Sequence, residues 1–291
     1  MNSRTQKYTA VDVPTQFVES KGRRIAYRRI GSGPPLMLCV RLRGVLDVWD
    51  PAFLDALAEH FTVITFDYSG LGQSTGHATY RRKALAQDAC DLADALGVDK
   101  LIIGGWSLGG IAAQVFTALY PERVTHTVVI GSGPPGVQEH QPEPIFLKTA
   151  VIPNYTLEDE YILFFEPASD SSRAAGKASH ERIAKRRGDR SPPVLEETYL
   201  RLLTENAGAK AIFEDDGGYN DFLQSTSIPI LVISGDHEIV FPVQNWYALT
   251  RKWQSLHLLV FPQAGHGPQH QFPQICADAI ASFVRNTGVG N

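Results

Sequence analysis

The stretch Leu101-Ile102-Ile103-Gly104-Gly105-Trp106-Ser107-Leu108-Gly109-Gly110 decides the reading of this chain. An apolar, β-branched run meets glycines, and one serine stands between Gly105 and Gly109. A serine on a sharp strand-to-helix turn takes a strained backbone conformation, and bulky residues two positions away on either side would clash. Glycines remove those clashes. Short glycine strings occur by chance, so the flanks carry the argument. Leu101 to Ile103 has the pattern of a buried strand, and Ile111, Ala112, Val115, Phe116 and Leu119 recur at helical spacing. A helix starting after Ser107 points its first N–H groups toward the hydroxyl, where they can hold an oxyanion. In that context Gly-x-Ser-x-Gly marks Ser107 as a nucleophile.

Outward from this point, strand and helix alternate. Two short alternating segments, Thr15 to Ser20 and Arg24 to Ile30, precede a Gly31 to Pro35 turn, and Leu36 to Val40 reads as a strand buried on both faces. A helix begins at Pro51, a strand covers Phe61 to Phe66, and Leu85, Ala89, Leu92 and Leu96 form a helical stripe closed by Gly97. Val124 to Ile130 is a further buried strand. The rhythm returns only with strands at Ile228 to Ser234 and Leu256 to Phe261, a helix near Gln244 to Trp253 and a closing helix near Phe272 to Arg285. This order predicts an α/β fold with a doubly wound, mostly parallel sheet. Residues 1–136 and 227–291 form the core, and residues 137–226, mostly helical in pattern, form an insert over the C-terminal edge of the sheet.

With 291 residues, 43% hydrophobic and 20% charged, the composition is that of an ordinary soluble globular protein. A net charge of −4 gives no electrostatic case for nucleic acid or an anionic membrane. The polar stretch Met1 to Val13 does not read as a secretory signal, and no apolar run approaches the roughly 20 residues of a membrane span. Cys39, Cys90 and Cys276 lack metal-ligand spacing and read as buried free thiols, which suits a cytoplasmic location.

A serine hydroxyl needs a base within hydrogen-bond reach, itself oriented by an acid. Among nine histidines, His266 stands out: Gly265-His266-Gly267 follows the last strand on a short loop, where the ring is expected to be exposed and free to turn. His270 is read as starting the final helix in a capping or surface role. The segment after Ile230 to Ser234 supplies two carboxylates, Asp236 and Glu238. Asp236 also fits a turn residue whose side chain caps nearby N–H groups.

From Val18 to Phe283 the chain resembles the capped α/β-hydrolases. The resemblance rests on the Gly105 to Gly109 motif, on Asp67, Gly70, Gly72 and Ser74 (Asp-x-x-Gly-x-Gly-x-Ser), and on Phe261-Pro262 to Gly267. In that family the acid is the third residue after a glycine, with a proline four residues further on. Gly235 and Pro242 put Glu238 there, in place of the more usual aspartate. The resemblance implies a Ser107–His266–Glu238 triad with no metal and no organic cofactor, acting on a small-molecule ester, lactone or similar acyl compound. An insert rich in Ile145, Phe146, Tyr161, Phe164 and Phe165 points to a fairly apolar one. Carbon–carbon bond hydrolysis, per-acid formation and ligand binding without turnover are the alternatives on the same scaffold.

The pattern breaks at one place. The family's His-Gly after the third strand is replaced by Val40-Arg41, counted back from Trp49, so Leu42 would join Leu108 as an oxyanion-hole N–H donor. Arg41 and Arg43 allow two readings. One arginine reaches the site to stabilise charge or grip a substrate, or both form ion pairs with Asp47 and Asp50. Trp106, beside the nucleophile, is a core residue by default and a possible substrate contact. Arg182, Lys185, Arg186, Arg187 and Arg190 read as a solvated helix face.

Overall fold

The computed structural model describes residues 8–205 and 208–288; the first seven residues of the polar N-terminal stretch lie outside them. Eight strands form one sheet: β1 (Gln16–Ser20), β2 (Arg23–Gly31), β3 (Pro35–Cys39), β4 (Thr62–Phe66), β5 (Leu101–Trp106), β6 (Val124–Ile130), β7 (Ile230–Gly235) and β8 (Leu256–Phe261). Their spatial order is β1-β2-β4-β3-β5-β6-β7-β8. The β1–β2 and β2–β4 pairs are antiparallel, and all later pairs are parallel. β5 and β7 are buried at every position, as a continuous apolar run requires of a strand covered on both faces.

The helices of the core follow from the crossovers. α1 (Pro51–Ala58) links β3 to β4, and α2 (Arg82–Ala95) links β4 to β5. These two crossovers step in opposite directions along the sheet, so right-handed connections place α1 and α2 on opposite faces. α3 (Leu108–Leu119) packs on α2. The direction reverses between β3 and β5, and a crevice opens there beyond the strands' C-terminal ends. Residues 40–46 leave β3 and Ser107 leaves β5 at that point.

Between β6 and β7 the described residues form five helices: α4 (Pro144–Thr149), α5 (Leu157–Phe164), α6 (Asp170–Ile183), α7 (Glu196–Thr204) and α8 (Tyr219–Ser225). The Thr156 side chain starts α5 with a capping box to Asp159, and Ser169 caps α6. α4 and α8 are too short to show a periodic stripe of their own.

The basic stretch departs from the solvated face expected of it. Lys185, Arg187 and Arg190 are exposed. Arg182 instead forms an ion pair at 2.5 Å with the wholly buried Asp50, which also caps α1 through Ala52 N. Arg186 is buried and donates to the carbonyls of Val11 and Val13. These two side chains tie α6 and its end to the core, which is why they turn inward.

Two helices differ from the sequence reading. The one near Gln244 to Trp253 is only α9 (Gln244–Tyr247), followed by turns. Trp246 and Trp253 pack edge-to-face with ring centroids 5.8 Å apart, whereas seven residues of helix would separate them by about 10 Å along the axis. The closing helix is split into α10 (Pro268–Gln271) and α11 (Pro273–Thr287). Pro273 disfavours helical geometry at Phe272, which sits at φ −126°, ψ 60°. The break turns His270 inward, so it is buried on α10 rather than at the surface. Cys39, Cys90 and Cys276 are free and buried.

Candidate active site

Ser107 sits between β5 and α3 with φ 59° and ψ −121°, a left-handed strain rare outside glycine. A Cβ on Gly105 would overlap the Gly109 carbonyl, and one on Gly109 would overlap the Cys39 carbonyl. Both obstacles are backbone, so neither position can hold a side chain. The Ser107 carbonyl already accepts from Gly110 N (2.8 Å) and Ile111 N (3.2 Å). The N–H groups at the very start of α3 therefore remain available, Leu108 first among them.

Glu238 and His266 meet as a buried pair. His266 Nδ1 lies 2.7 Å from Glu238 Oε2 and 2.9 Å from Oε1. Glu238 Oε1 also accepts from Val240 N (2.8 Å) and Phe241 N (3.2 Å), so the carboxylate's lone pairs are matched inside the protein. Contrary to the expectation of a free ring, His266 is only 3% exposed. Its carbonyl accepts from Trp106 Nε1 at 2.7 Å, and the rings of Trp106, Phe164 and Phe241 surround the imidazole. The flanking glycines have a different use: a Cβ at Gly265 would overlap the Phe165 carbonyl, and Gly267 N donates to Phe164 O at 2.7 Å. They let α5 dock against the loop. Asp236 is exposed and accepts from Ala264 N at 3.3 Å, the turn role weighed for it.

Ser107, Leu108, Leu42 and His266 line one cavity of about 320 Å³ with Arg41, Tyr80, Phe146, Phe164, Val240 and Phe241. No hydrogen bond joins Ser107 to His266 in this arrangement. Leu147, Leu203 and Ile212 line the same cavity while remaining exposed, so it communicates with solvent on their side. Among the described residues, no cluster of His, Cys, Asp and Glu is arranged to hold a metal, and no helix is long and apolar enough to cross a membrane.

The loop after β3 is held by Asp67. Its Oδ1 accepts from Leu46 N (2.7 Å) and its Oδ2 from Gln73 N (2.9 Å) and from the Ser191 hydroxyl. Burial pushes the Asp67 carboxyl above its ordinary value, against these donors. The Asp-x-x-Gly-x-Gly-x-Ser loop thus positions the backbone that carries Leu42.

Neither arginine pairs with the acids assigned to it from sequence. Asp47 is held by Arg28 (2.7 Å), with Arg186 at 3.5 Å, and Asp50 by Arg182. Arg43 donates to the carbonyls of Ala150, Ile152 and Pro153, fastening the chain after α4 to this loop. Trp106 is not among the residues that line the cavity. It packs behind Ser107 against Trp49 and His270 (centroids 6.0 and 4.7 Å), as a core residue does. The supporting contacts of His270, Arg43 and Asp67 join distant segments and form only in the packed structure.

The family model for the alpha/beta hydrolase fold matches residues 34–273. The chain is 28% identical over 238 residues to a 2-hydroxy-6-oxononadienedioate/2-hydroxy-6-oxononatrienedioate hydrolase of Burkholderia vietnamiensis, covering 80% of each. It is 25% identical over 265 residues to a pimeloyl-[acyl-carrier protein] methyl ester esterase of Nitrosomonas europaea, covering 86% of this chain and 96% of that one. Among solved structures, an alpha/beta hydrolase fold protein from Chitinophaga pinensis superposes with a TM-score of 0.84 at 27% identity, over 96% of this chain and all of the other. With its eight-stranded, mostly parallel sheet and this match over most of its length, the chain belongs to the alpha/beta hydrolase family.

Proposed function

We propose that the protein is a serine-dependent hydrolase of a small, largely apolar ester, lactone or related acyl compound, acting through Ser107, His266 and Glu238 beneath a helical cap of residues 137–226. The observation that carries this reading is the two-oxygen hold of Glu238 on His266 Nδ1, at the wall of a cavity that Ser107 also lines. A cavity of about 320 Å³ walled by Phe146, Phe164, Val240 and Phe241 suits a small apolar acyl group.

Ser107 Oγ attacks the acyl carbon and passes its proton to His266 Nε2. The carbonyl electron pair moves onto oxygen, which accepts from the N–H groups of Leu108 and Leu42. Collapse of the intermediate expels the alcohol, protonated by His266, and leaves the acyl group on Ser107. Water, deprotonated by the same ring, then cleaves that ester and restores the hydroxyl. Glu238 fixes the ring with Nδ1–H inward and balances the charge that develops on it. The first attack needs the Ser107 hydroxyl to come within hydrogen-bond reach of His266, a contact of the kind that often forms only with substrate in place.

A second reading, carbon–carbon bond hydrolysis of a diketone-like substrate by the same residues, draws on the Burkholderia relative. The buried, free thiols suit a cytoplasmic setting for either chemistry. Fluorophosphonate labelling tests the proposal: Ser107 reacts in the wild type and Ser107→Ala does not. With p-nitrophenyl butyrate, Ser107→Ala and His266→Ala each lower kcat by about 10⁴-fold or more, and Glu238→Gln by about 10³- to 10⁴-fold. A folded protein whose Ser107 stays unlabelled is a binding protein on this scaffold, not a hydrolase. Full activity in Glu238→Ala with loss in Asp236→Ala would overturn the assignment of the acid.

A further inference from the structure

We infer that Arg41 is an anion-binding subsite of this cavity, and that the substrate carries a carboxylate within a few bonds of the carbonyl that Ser107 attacks. The inference rests on the serine-hydrolase reading and names its substrate class.

Among the described residues, Arg41 has a single hydrogen-bond acceptor, the Leu42 carbonyl at 2.7 Å from Nη1, although a guanidinium offers five N–H donors. Its Nε is buried with no partner. The guanidinium lies 4.7 Å from the centroid of Phe164 and 5.2 Å from that of Trp106, so aromatic faces hold it in place. Among the described residues no carboxylate pairs with it. Asp47 and Asp50 serve Arg28 and Arg182, and Glu160, whose charge reaches Arg41, accepts from His180 Nδ1 at 2.9 Å. Arg43 alongside adds a second positive charge whose own donors end on carbonyls and on Tyr155 Oη.

A half-buried guanidinium with an enclosed, unpartnered Nε and no counter-ion among the described residues is unfavourable, and desolvation shows in the downward push on the Arg41 pKa. Natural cores avoid that cost unless the charge has a use. Arg41 lines the cavity that holds Ser107 and His266, so a ligand anion there supplies the missing partner. Position fixes where on the ligand the anion lies. Arg41 directly precedes Leu42, and it stacks on Trp106, which directly precedes Ser107. The anion therefore sits near the reacting carbon rather than at the end of a long chain. Apart from Ser107, His266, Tyr80 and Tyr155, the other lining residues are apolar, which suits one carboxylate and an apolar remainder.

The test compares monomethyl succinate with methyl butyrate, and monomethyl glutarate with methyl valerate, by proton release at constant pH. The wild type favours each half-ester over its neutral counterpart in kcat/KM. Arg41→Gln lowers that ratio about 10- to 100-fold, the range for a lost charge-assisted hydrogen bond. Arg41→Lys, which keeps the charge without the planar fork, gives an intermediate ratio and serves should Arg41→Gln fold poorly. A wild type with no preference for the half-esters overturns the proposal. So does a parallel fall for both members of a pair, which would place Arg41 at the oxyanion or in the fold alone. If Ser107 proves inert to fluorophosphonate, calorimetric titration of Ser107→Ala with monomethyl succinate and methyl butyrate isolates the subsite. Binding of the half-ester that Arg41→Gln abolishes upholds it without the hydrolase, and equal binding of both esters overturns it.

Discussion

Mild acid should destabilise this protein through His270. The ring is 4% exposed, packs 4.7 Å from Trp106, contacts Ser179 Oγ at 3.3 Å through Nδ1, and buries Nε2 without a partner. Burial, opposed by the Asp50 carboxylate and assisted by Arg41 and Arg182, holds its pKa down at about 4 against an ordinary 6.5. Between these values the unfolded chain takes up a proton that the folded chain refuses, so stability falls as pH falls. Above about 6.5 neither state carries the proton and the contribution is flat. The slope approaches about 1.4 kcal/mol per pH unit, and the whole window amounts to about 3 kcal/mol. Urea unfolding followed by tryptophan fluorescence, at pH 7.5, 6.5, 5.5 and 4.5, reads this in wild type and in His270→Gln. The stability difference between the two should shift by about 2–3 kcal/mol in favour of the variant from pH 7.5 to 4.5. His126, also lowered by burial, contributes to both proteins and cancels. Parallel pH profiles would refute the reasoning.

Arg182→Met leaves the wholly buried Asp50 carboxylate without its 2.5 Å partner, and should cost about 3 kcal/mol in thermal or urea unfolding. Adding Asp50→Asn should recover part of that loss, because the uncompensated charge goes with it. Gly109→Ala forces a Cβ into the Cys39 carbonyl and should cost about 3 kcal/mol or more, with loss of fluorophosphonate labelling. Gly188→Ala, where a Cβ meets nothing within 4 Å, is the matched control and should change stability by less than about 0.5 kcal/mol.

The site divides sharply by the range over which its causes act. Local sterics wrote the Ser107 turn into the sequence. Glycines at 105 and 109 are demanded by backbone atoms that the turn itself brings close, or that the adjacent strand must supply. The order of strands and crossovers was legible for the same reason, since apolar periodicity reports burial residue by residue. Glu238 was legible only through resemblance to the capped α/β-hydrolases, in register against Gly235 and Pro242. The two tryptophans at 246 and 253 spoiled one helix because their mutual packing, a through-space effect, outweighed local propensity.

The sequence by itself determined the alternating α/β architecture, the strained serine and its candidate base, because each depends on spacing along the chain, and it offered the candidate acid through resemblance to the capped α/β-hydrolases. Only the tertiary structure decided the rest. It caged His266 among Trp106, Phe164 and Phe241, turned Arg182 and Arg186 inward as ties to the core, and buried His270. It also sent Asp47 and Asp50 to arginines other than Arg41, leaving that charge beside Ser107's cavity without an acid. A charge's partner is fixed by which side chains meet across distant segments, and no spacing in the chain records that.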